Sequence, residues 1–249
     1  MDEGGLRAAM TSDDGRRGGW AATVSAWFTS LCGGGRTVTV GGRRLRLRRR
    51  VAEGGFSYVF LAEDAATGEH FAVKEMLCQS AEQRAAAEAE IAAHRAVAGH
   101  PNVAPLLDCA FVGEDDGGGG SGGGGGGVDR SGGDHRVRAY LVLPFYRRGS
   151  LQDLLTERMA AGGPYYDEAT CLHYVRGIAA ALAALHDASP RPLAHRDVCP
   201  RNVMIDEGGG GGAGSEAASS AAAPPPPGAG TAVLIDLGSV APARVAIRT

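Results

Sequence analysis

The segment His195–Ile205 has the sequence H-R-D-V-C-P-R-N-V-M-I, and the prediction of the fold starts from it. Asp197 and Asn202 stand five positions apart within it, just before the apolar run Val203–Ile205. So short a spacing makes a tight loop that holds the two polar side chains near each other. The segment therefore places a carboxylate and an amide side chain close together in one loop.

Four further motifs accompany this loop in a fixed order along the chain. Before it come the pair Gly54-Gly55 between two strand patterns, the strand F-A-V-K ending at Lys74, and a helix-forming run that contains Glu90. After it comes D-L-G, which begins at Asp236. The glycine pair alone is a weak signal, because such pairs usually form hairpin turns and only occasionally hold phosphate. All the motifs in one order are a strong signal.

These motifs resemble those of protein kinases. The segments G-G-F-S-Y-V (54–59), L-P-F-Y-R-R-G-S-L (143–151) and I-D-L-G-S-V (235–240) are most similar to the numb-associated kinase family, in its myristoylated and palmitoylated serine/threonine branch. The resemblance implies an α+β, protein-kinase-like bilobal fold with an antiparallel β N-lobe. It also implies a partial helical C-lobe, because the sequence stops 11 residues after Gly238 without an A-P-E motif.

The implied function is that of an ATP- and Mg²⁺-dependent serine/threonine protein kinase, which transfers the γ-phosphate to hydroxyls of a protein substrate. Such an enzyme must hold a polyanion, neutralise its charge and place a hydroxyl in line. By resemblance, Asp197 would act as the base and Lys74 would bind the nucleotide phosphates. Glu90, with Glu88 as the alternative, would hold Lys74 in place.

The resemblance also implies the residues that surround the cofactors. Magnesium would be bound by Asn202 and Asp236. The hinge Leu143–Tyr146 would contact the adenine edge. The nucleotide would lie between a glycine-containing turn, an apolar roof and an apolar floor, formed by Ala52, Gly54, Gly55, Ser57, Val59, Ala72, Lys74, Leu143, Phe145 and Met204.

Some positions depart from the kinase pattern. Ala52 and Ser57 stand where the pattern has glycines, and Cys199 stands where serine/threonine kinases usually place a lysine that touches the transferred phosphate. A truncated, non-catalytic pseudokinase or scaffold that binds nucleotide or partners therefore remains an alternative. His195 is implied to be structural, packing beneath Leu237 and bonding to the backbone near Asp236.

Composition divides the chain into domains. Of its 249 residues 40 are glycine, and these concentrate in a Gly-rich insertion at 113–136 and a Gly/Ala/Pro insertion at 207–230. Residues 1–36 form a predicted low-complexity tail, 37–143 the N-lobe, and 144–249 the hinge and an incomplete C-lobe. With 44% hydrophobic residues and a net charge of −3, the chain is neither collagenous nor a nucleic-acid binder that works by global positive charge.

Periodicity predicts the main elements. The alternation from Arg43 to Arg50 favours a strand whose apolar side carries Leu45 and Leu47, although its arginines also suit a lipid or nucleic-acid patch. Residues 81–98 predict a helix that ends at Gly99. A second helix is predicted from near Asp167, with a buried stripe formed by Leu172, Val175, Ile178, Leu182 and Leu185 and filled in by Ala179 and Ala183.

The histidines of the predicted helices do not suggest a catalytic or metal site. His94, His173 and His186 lie in helix patterns and are expected to pack or cap, and no His/Cys spacing suggests zinc.

No C-x-x-C pair, secretory signal or run of 18 apolar residues occurs, which favours a reducing, cytoplasmic compartment. Asp2 does not support myristoylation, while palmitoylation of Cys32 would give a weak anchor. Peripheral attachment to Golgi or plasma membrane is implied by resemblance alone, and the partner expected is a protein substrate, not nucleic acid.

Overall fold

A computed structural model describes residues 36–113, 137–208 and 226–243. The predictions for Cys32 and for residues 1–35 lie outside the described residues, as does most of both glycine-rich insertions. Two parts follow one another along the chain. The first is built around one sheet, and the second around helices.

The first part is a six-stranded antiparallel sheet in the order β1-β2-β3-β4-β6-β5. Its strands are β1 (Thr37–Val40), β2 (Arg43–Glu53), β3 (Ser57–Asp64), β4 (His70–Cys78), β5 (Asp108–Gly113) and β6 (Val137–Pro144). The alternation predicted in β2 is present, since Leu45 and Leu47 are buried while Arg44 and Arg46 are exposed. The buried side of the sheet packs Leu45, Leu47, Phe71, Val73 and Val142 into one cluster.

Helix α1 (Ala81–Ala96) covers the sheet next to β4 and β6. It begins at Ser80, whose hydroxyl accepts a hydrogen bond from the Gln83 N–H, as expected of an N-cap serine. It ends at Ala96, two residues earlier than predicted. Val97 is its C-cap residue, and Gly99, two residues further on, has a positive φ. Buried residues of α1 pack against Cys78, Ala139 and Leu141 of the sheet.

The second part contains two helices and two short antiparallel sheets. The helices are α2 (Leu151–Ala160) and α3 (Glu168–His186), and the strand pairs are β8 (Val203–Asp206) with β9 (Thr231–Leu234) and β7 (Leu193–Ala194) with β10 (Ala241–Pro242). Helix α2 has no counterpart among the predicted elements, although a capping box of Ser150 and Asp153 starts it. Leu185, Ile205, Leu234 and Leu237 form the centre of the core.

The predicted buried stripe of α3 is confirmed in its C-terminal half, where Leu185 is buried and Ile178 and Leu182 pack against the core. It is wrong elsewhere, since Leu172 and Val175 are 55% and 60% exposed and Ala179 and Ala183 are also exposed. The fully buried residues that were not predicted are Thr170, Tyr174 and Ala181. Apolar residues lie on nearly every side of this helix, so spacing alone does not select the face that meets the core.

Both insertions leave and re-enter the fold between paired strands. Gly113 of β5 pairs with Val137 of β6, so the first insertion begins one residue later than predicted. Asp206 of β8 pairs with Thr231 of β9, as expected if the ends of the second insertion meet. Arg148 binds both ends of this second insertion, at 3.0 Å from the Glu207 carboxylate and 3.1 Å from the Gly228 carbonyl.

The two parts are joined by the segment that follows α1. The Asn102 side chain donates to the Ala232 carbonyl at 2.8 Å, and the Leu234 N–H donates to the Asn102 carbonyl at 2.7 Å. The Ala104 N–H in turn donates to the Leu234 carbonyl at 3.0 Å. These bonds fix β9, and with it the residues just after β9, against the end of α1.

Candidate active site

A cluster of three charged side chains lies where the sheet, α1 and the segment after β9 meet. The Lys74 ammonium on β4 donates to the Glu90 carboxylate at 2.7 and 3.0 Å and to Asp236 Oδ1 at 2.7 Å. Glu88, the alternative partner, is exposed and pairs with Arg84 instead. Lys74 is the only lysine among the 249 residues, so the chain's single ε-amine is committed to this cluster.

Burial and pairing act in opposite directions on these three groups. Burial alone would lower the pKa of Lys74, but the neighbouring carboxylates of Glu90 and Asp236 outweigh it and raise that pKa. Burial raises the pKa of Glu90 against the opposing effect of Lys74, whereas at Asp236 the ammonium prevails over burial and lowers the pKa. With one cation between two carboxylates, the cluster carries an excess negative charge that favours a divalent cation.

Gly238 leaves the space in which this cluster sits. A Cβ at this position would lie 3.0 Å from Glu90 Oε2 and 3.1 Å from both Asp236 Oδ1 and Lys74 Nζ. Asp236 itself has a left-handed backbone, with φ of 61°, and its Oδ1 accepts from the Gly238 N–H at 3.3 Å. A side chain two residues after the aspartate would therefore press on all three charged groups, a constraint that the D-L-G pattern alone did not reveal.

A second cluster is formed by the loop that contains Asp197. The Asn202 amide donates to both the carbonyl and the carboxylate of Asp197, at 2.9 Å each, and this closes the loop. The Asp197 side chain is exposed. His195 is buried and uses both ring nitrogens, since Nε2 lies 3.1 Å from the Ile235 carbonyl and Nδ1 accepts from the Asp197 N–H at 3.3 Å. His195 therefore plays a structural role, and neither of its ring nitrogens is free to act as a base.

Backbone bonds hold the two clusters side by side. The Ile235 N–H donates to the Asn202 carbonyl at 2.9 Å, and the Ile235 carbonyl accepts from His195. Asp236 therefore follows directly on a residue that is bonded to Asn202. The two side chains offer an amide and a carboxylate oxygen, which suits Mg²⁺ because that ion usually binds one or two protein donors and completes its shell with phosphates and water.

The predicted nucleotide-contacting residues of the sheet share one face. Val59 pairs with Lys74, and Ala72 pairs with Leu143, so these side chains lie in adjacent rows two residues apart. Ala52 pairs with Val59 across the hairpin. In the turn itself, the Gly54 N–H donates to the Ser57 carbonyl at 2.8 Å, and Gly55 has open space where a Cβ would be.

The predicted hinge and floor lie after this sheet. Leu143 and Pro144 still belong to β6, so the connecting segment begins at Phe145. Met204 on β8 is buried and is bridged by Ser150, which places it in the second part, beneath the connection. Cys199 is half-buried at the start of the short turn Pro200–Asn202.

Other titratable groups near the clusters have packing functions in the described structure. His94, four residues after Glu90 on α1, is buried with Nδ1 at 3.1 Å from the Ala104 carbonyl, and its Nε2 has no partner among the described atoms. No group of three or more His, Cys, Asp or Glu side chains within residues 36–113, 137–208 and 226–243 is arranged to hold a metal ion by itself. None of the helices described is long and apolar enough to cross a membrane.

Sequence comparison identifies a family and several relatives of this chain. The family model described as protein kinase domain matches residues 45–210. Serine/threonine-protein kinase 16 of Homo sapiens is 32% identical over 173 residues, which cover 69% of this chain and 49% of that protein. A probable serine/threonine-protein kinase of Dictyostelium discoideum is 31% identical over 176 residues, which cover 68% and 42%. CBL-interacting protein kinase 22 of Oryza sativa is 33% identical over 180 residues, which cover 66% and 34%. The chain thus spans less than half the length of each of these relatives.

Proposed function

This chain belongs to the protein kinase domain family, and from that premise we propose that it transfers the γ-phosphate of ATP to serine or threonine hydroxyls of a protein. The observation that carries the proposal is the contact of Lys74 with both Glu90 and Asp236 at 2.7 Å, which brings together three motifs separated by up to 162 residues. Such a contact fixes a cation and a metal-binding carboxylate in one place. Phosphoryl transfer relies on this kind of positioning.

Each proposed role follows from the position of the side chain. Lys74 binds the nucleotide phosphates, and Glu90 keeps its ammonium in the cleft. Asn202 and Asp236 hold Mg²⁺, which supplies neutralisation of the phosphate charge when bound. Asp197 is exposed beside Asn202 and there accepts the proton of the substrate hydroxyl, or orients that hydroxyl.

A second candidate function is favoured by Cys199. Its thiol carries no positive charge at a position where the kinase pattern has a lysine, so the loop lacks one cation for the transferred phosphate. A protein that binds nucleotide and does not transfer phosphate fits this departure. The two candidates predict the same nucleotide binding and differ in phosphate transfer.

We propose assignment to the numb-associated branch, supported by the segments 54–59, 143–151 and 235–240. We also propose a cytoplasmic location with peripheral attachment to Golgi or plasma membrane through palmitate on Cys32. Labelling cells with an alkyne palmitate analogue tests this, and equal labelling of wild type and Cys32→Ser would contradict it.

The function is tested with thermal unfolding in the presence of ATP and Mg²⁺. We expect ATP to raise the Tm of the wild type and of Cys199→Ser, and to leave the Tm of Lys74→Ala unchanged. Equal nucleotide affinity in wild type and Lys74→Ala would remove the site assignment. Incubation with labelled ATP and a mixed peptide library then separates the two candidates, since a Tm shift without phosphate incorporation favours the non-catalytic one.

The single lysine offers a second measurement that does not depend on a variant. An acyl-phosphate derivative of ATP transfers its acyl group to a nearby amine, and Lys74 is the only ε-amine in the chain. We expect mass spectrometry to find the acyl group on Lys74 and free ATP to prevent it. Labelling that ATP does not reduce contradicts nucleotide binding at this cluster.

A further inference from the structure

Two arginines flank the proposed base on its own loop. Arg196 directly precedes Asp197, and Arg201 follows four residues later. Both side chains are exposed, and among the residues that the structure describes neither guanidinium is paired with a carboxylate. Asn202 folds back onto Asp197 and Arg201 directly precedes Asn202, so the backbone of Arg201 lies one residue from the contact that closes the loop.

The carboxylates around this loop do not offset those two charges. Asp153 on α2, the helix that packs against the turn Pro200–Asn202, is buried and holds the Ser150 N–H at 3.0 Å. Glu207 forms an ion pair with Arg148. Glu157 is exposed, but it lies near the far end of α2. Asp197 is therefore the exposed carboxylate of a loop that carries two free cations.

A cavity adjoins this loop at Arg196. It has a volume of about 420 Å³ and is lined by Arg196, Gly238, Ser239 and Val240. Arg196 has a left-handed backbone, with φ of 69°, a conformation that non-glycine residues retain mainly where the surrounding structure requires it. The cavity is thus bordered by the positive charge of Arg196 and by the small residues Gly238 and Ser239.

We propose that the protein substrate carries an anionic side chain close to its acceptor hydroxyl, and that Arg201 binds this side chain. The inference rests on the proposed kinase function, whose site it refines. A guanidinium binds the two oxygens of a carboxylate or a phosphate at once, so aspartate, glutamate and a phosphorylated residue share the required chemistry. Because Arg201 is exposed, the gain is modest and depends on salt.

The experiment measures binding of fluorescent peptides to the full chain by anisotropy, with and without a non-hydrolysable ATP analogue and Mg²⁺. The peptides share one serine and are flanked by glutamate, phosphoserine, glutamine or arginine. We expect the glutamate peptide to bind about fivefold more tightly than the glutamine peptide at low salt and the arginine peptide to bind most weakly. A larger gain for phosphoserine than for glutamate identifies a previously phosphorylated substrate, and equal gains identify a general acidic one.

Charge inversion at two arginines tests the assignment of Arg201. Arg201→Glu should abolish or reverse the preference, while the matched inversion Arg176→Glu on the exposed side of α3 should leave it unchanged. Equal binding of the glutamate and glutamine peptides, no measurable binding of any peptide, or the same loss in both variants would overturn the proposal. Protection of Lys74 by ATP is measured separately, so a failure of nucleotide binding is distinguished from a failure of the acidic preference.

Discussion

His94 is a buried, titratable residue that the proposed chemistry does not use. It is 3% exposed, and burial lowers its pKa to about 4. Above pH 6.5 the ring is neutral in both the folded and the unfolded chain, so it contributes no pH dependence there. Below pH 6.5 the unfolded chain takes up a proton that the folded chain refuses until pH falls to about 4. The free energy of unfolding should therefore fall by about 3 kcal/mol between these pH values.

Urea unfolding of wild type and His94→Asn between pH 7 and 4 measures this loss. Asparagine keeps a donor near the position of Nδ1, without a proton that titrates in this range. We expect the variant to lose less stability on acidification than the wild type. The control is His186→Asn at an exposed position of α3, which should follow the wild type. Parallel pH profiles for wild type and His94→Asn would contradict the prediction.

Gly238 gives a prediction about volume. A methyl group there meets Glu90, Asp236 and Lys74 at 3.0 to 3.1 Å, so the charged cluster must shift by a few tenths of an ångström. We expect Gly238→Ala to weaken nucleotide binding, because it displaces the charged cluster; overpacking of this kind costs about 1–3 kcal/mol in protein cores. Isothermal titration with ATP and Mg²⁺ measures the change. Gly163→Ala, where the nearest atom would be 3.6 Å away, should bind as the wild type does. A normal affinity for Gly238→Ala would show that the cluster is not tightly packed.

At the scale of elements, helix α1 carries two neighbouring acidic residues, and only one of them belongs to the buried charged cluster. Glu90 faces inward and is 1% exposed, whereas Glu88 forms an i,i+4 pair with Arg84 in solvent. Glu90→Gln should lower the free energy of unfolding by about 3 kcal/mol, because it leaves part of a buried charge without its partner. Glu88→Gln should cost less than about 0.5 kcal/mol. Urea unfolding compares them, and equal losses would refute the assignment of Glu90 to the buried face.

The elements also show where sequence patterns suffice. The strand β2 and the helix α1 were predictable because each has one apolar side and a clear end, such as Gly99. The buried face of α3 was predicted only in part. Leu185 was expected there, whereas Tyr174 and Ala181 were not, since apolar residues surround the helix and its packing against β9 selects the buried face. Glu75 was missed as well. Its buried carboxylate binds Arg36 and Arg138, which stand 39 and 63 residues away, and no local pattern announces such contacts.

The candidate site shows the same division. The order of motifs brought Lys74, Glu90 and Asp236 to attention, and the structure places them in contact. The spatial requirement at Gly238 and the junction formed by Asn102 depend on distances between segments, which sequence spacing does not contain. The predicted α+β kinase fold is confirmed by the family match and by the antiparallel sheet. The proposed roles of Asp197 and Asn202 stay predictions until transfer is measured.

At the scale of the whole molecule, the second insertion is anchored at both of its ends, so most of its residues should be dispensable for folding. The segment 207–230 is held at its ends by the pairing of β8 with β9 and by Arg148. Removing residues 209–225 leaves these contacts in place and shortens the loop. We expect the deletion to stabilise the protein by about 1 kcal/mol, because closing a shorter loop loses less chain entropy. Urea unfolding tests this, and a loss of stability would show that the removed residues contact the folded core.

The enclosed position of Lys74 also bears on how the protein is turned over. Ubiquitin is usually attached to a lysine amine that an enzyme can reach from solvent, and the folded chain offers no such amine on its surface. Conjugation through a lysine therefore requires that Lys74 first leave its two carboxylates. A ubiquitin mark at that residue would therefore report that this part of the molecule had opened.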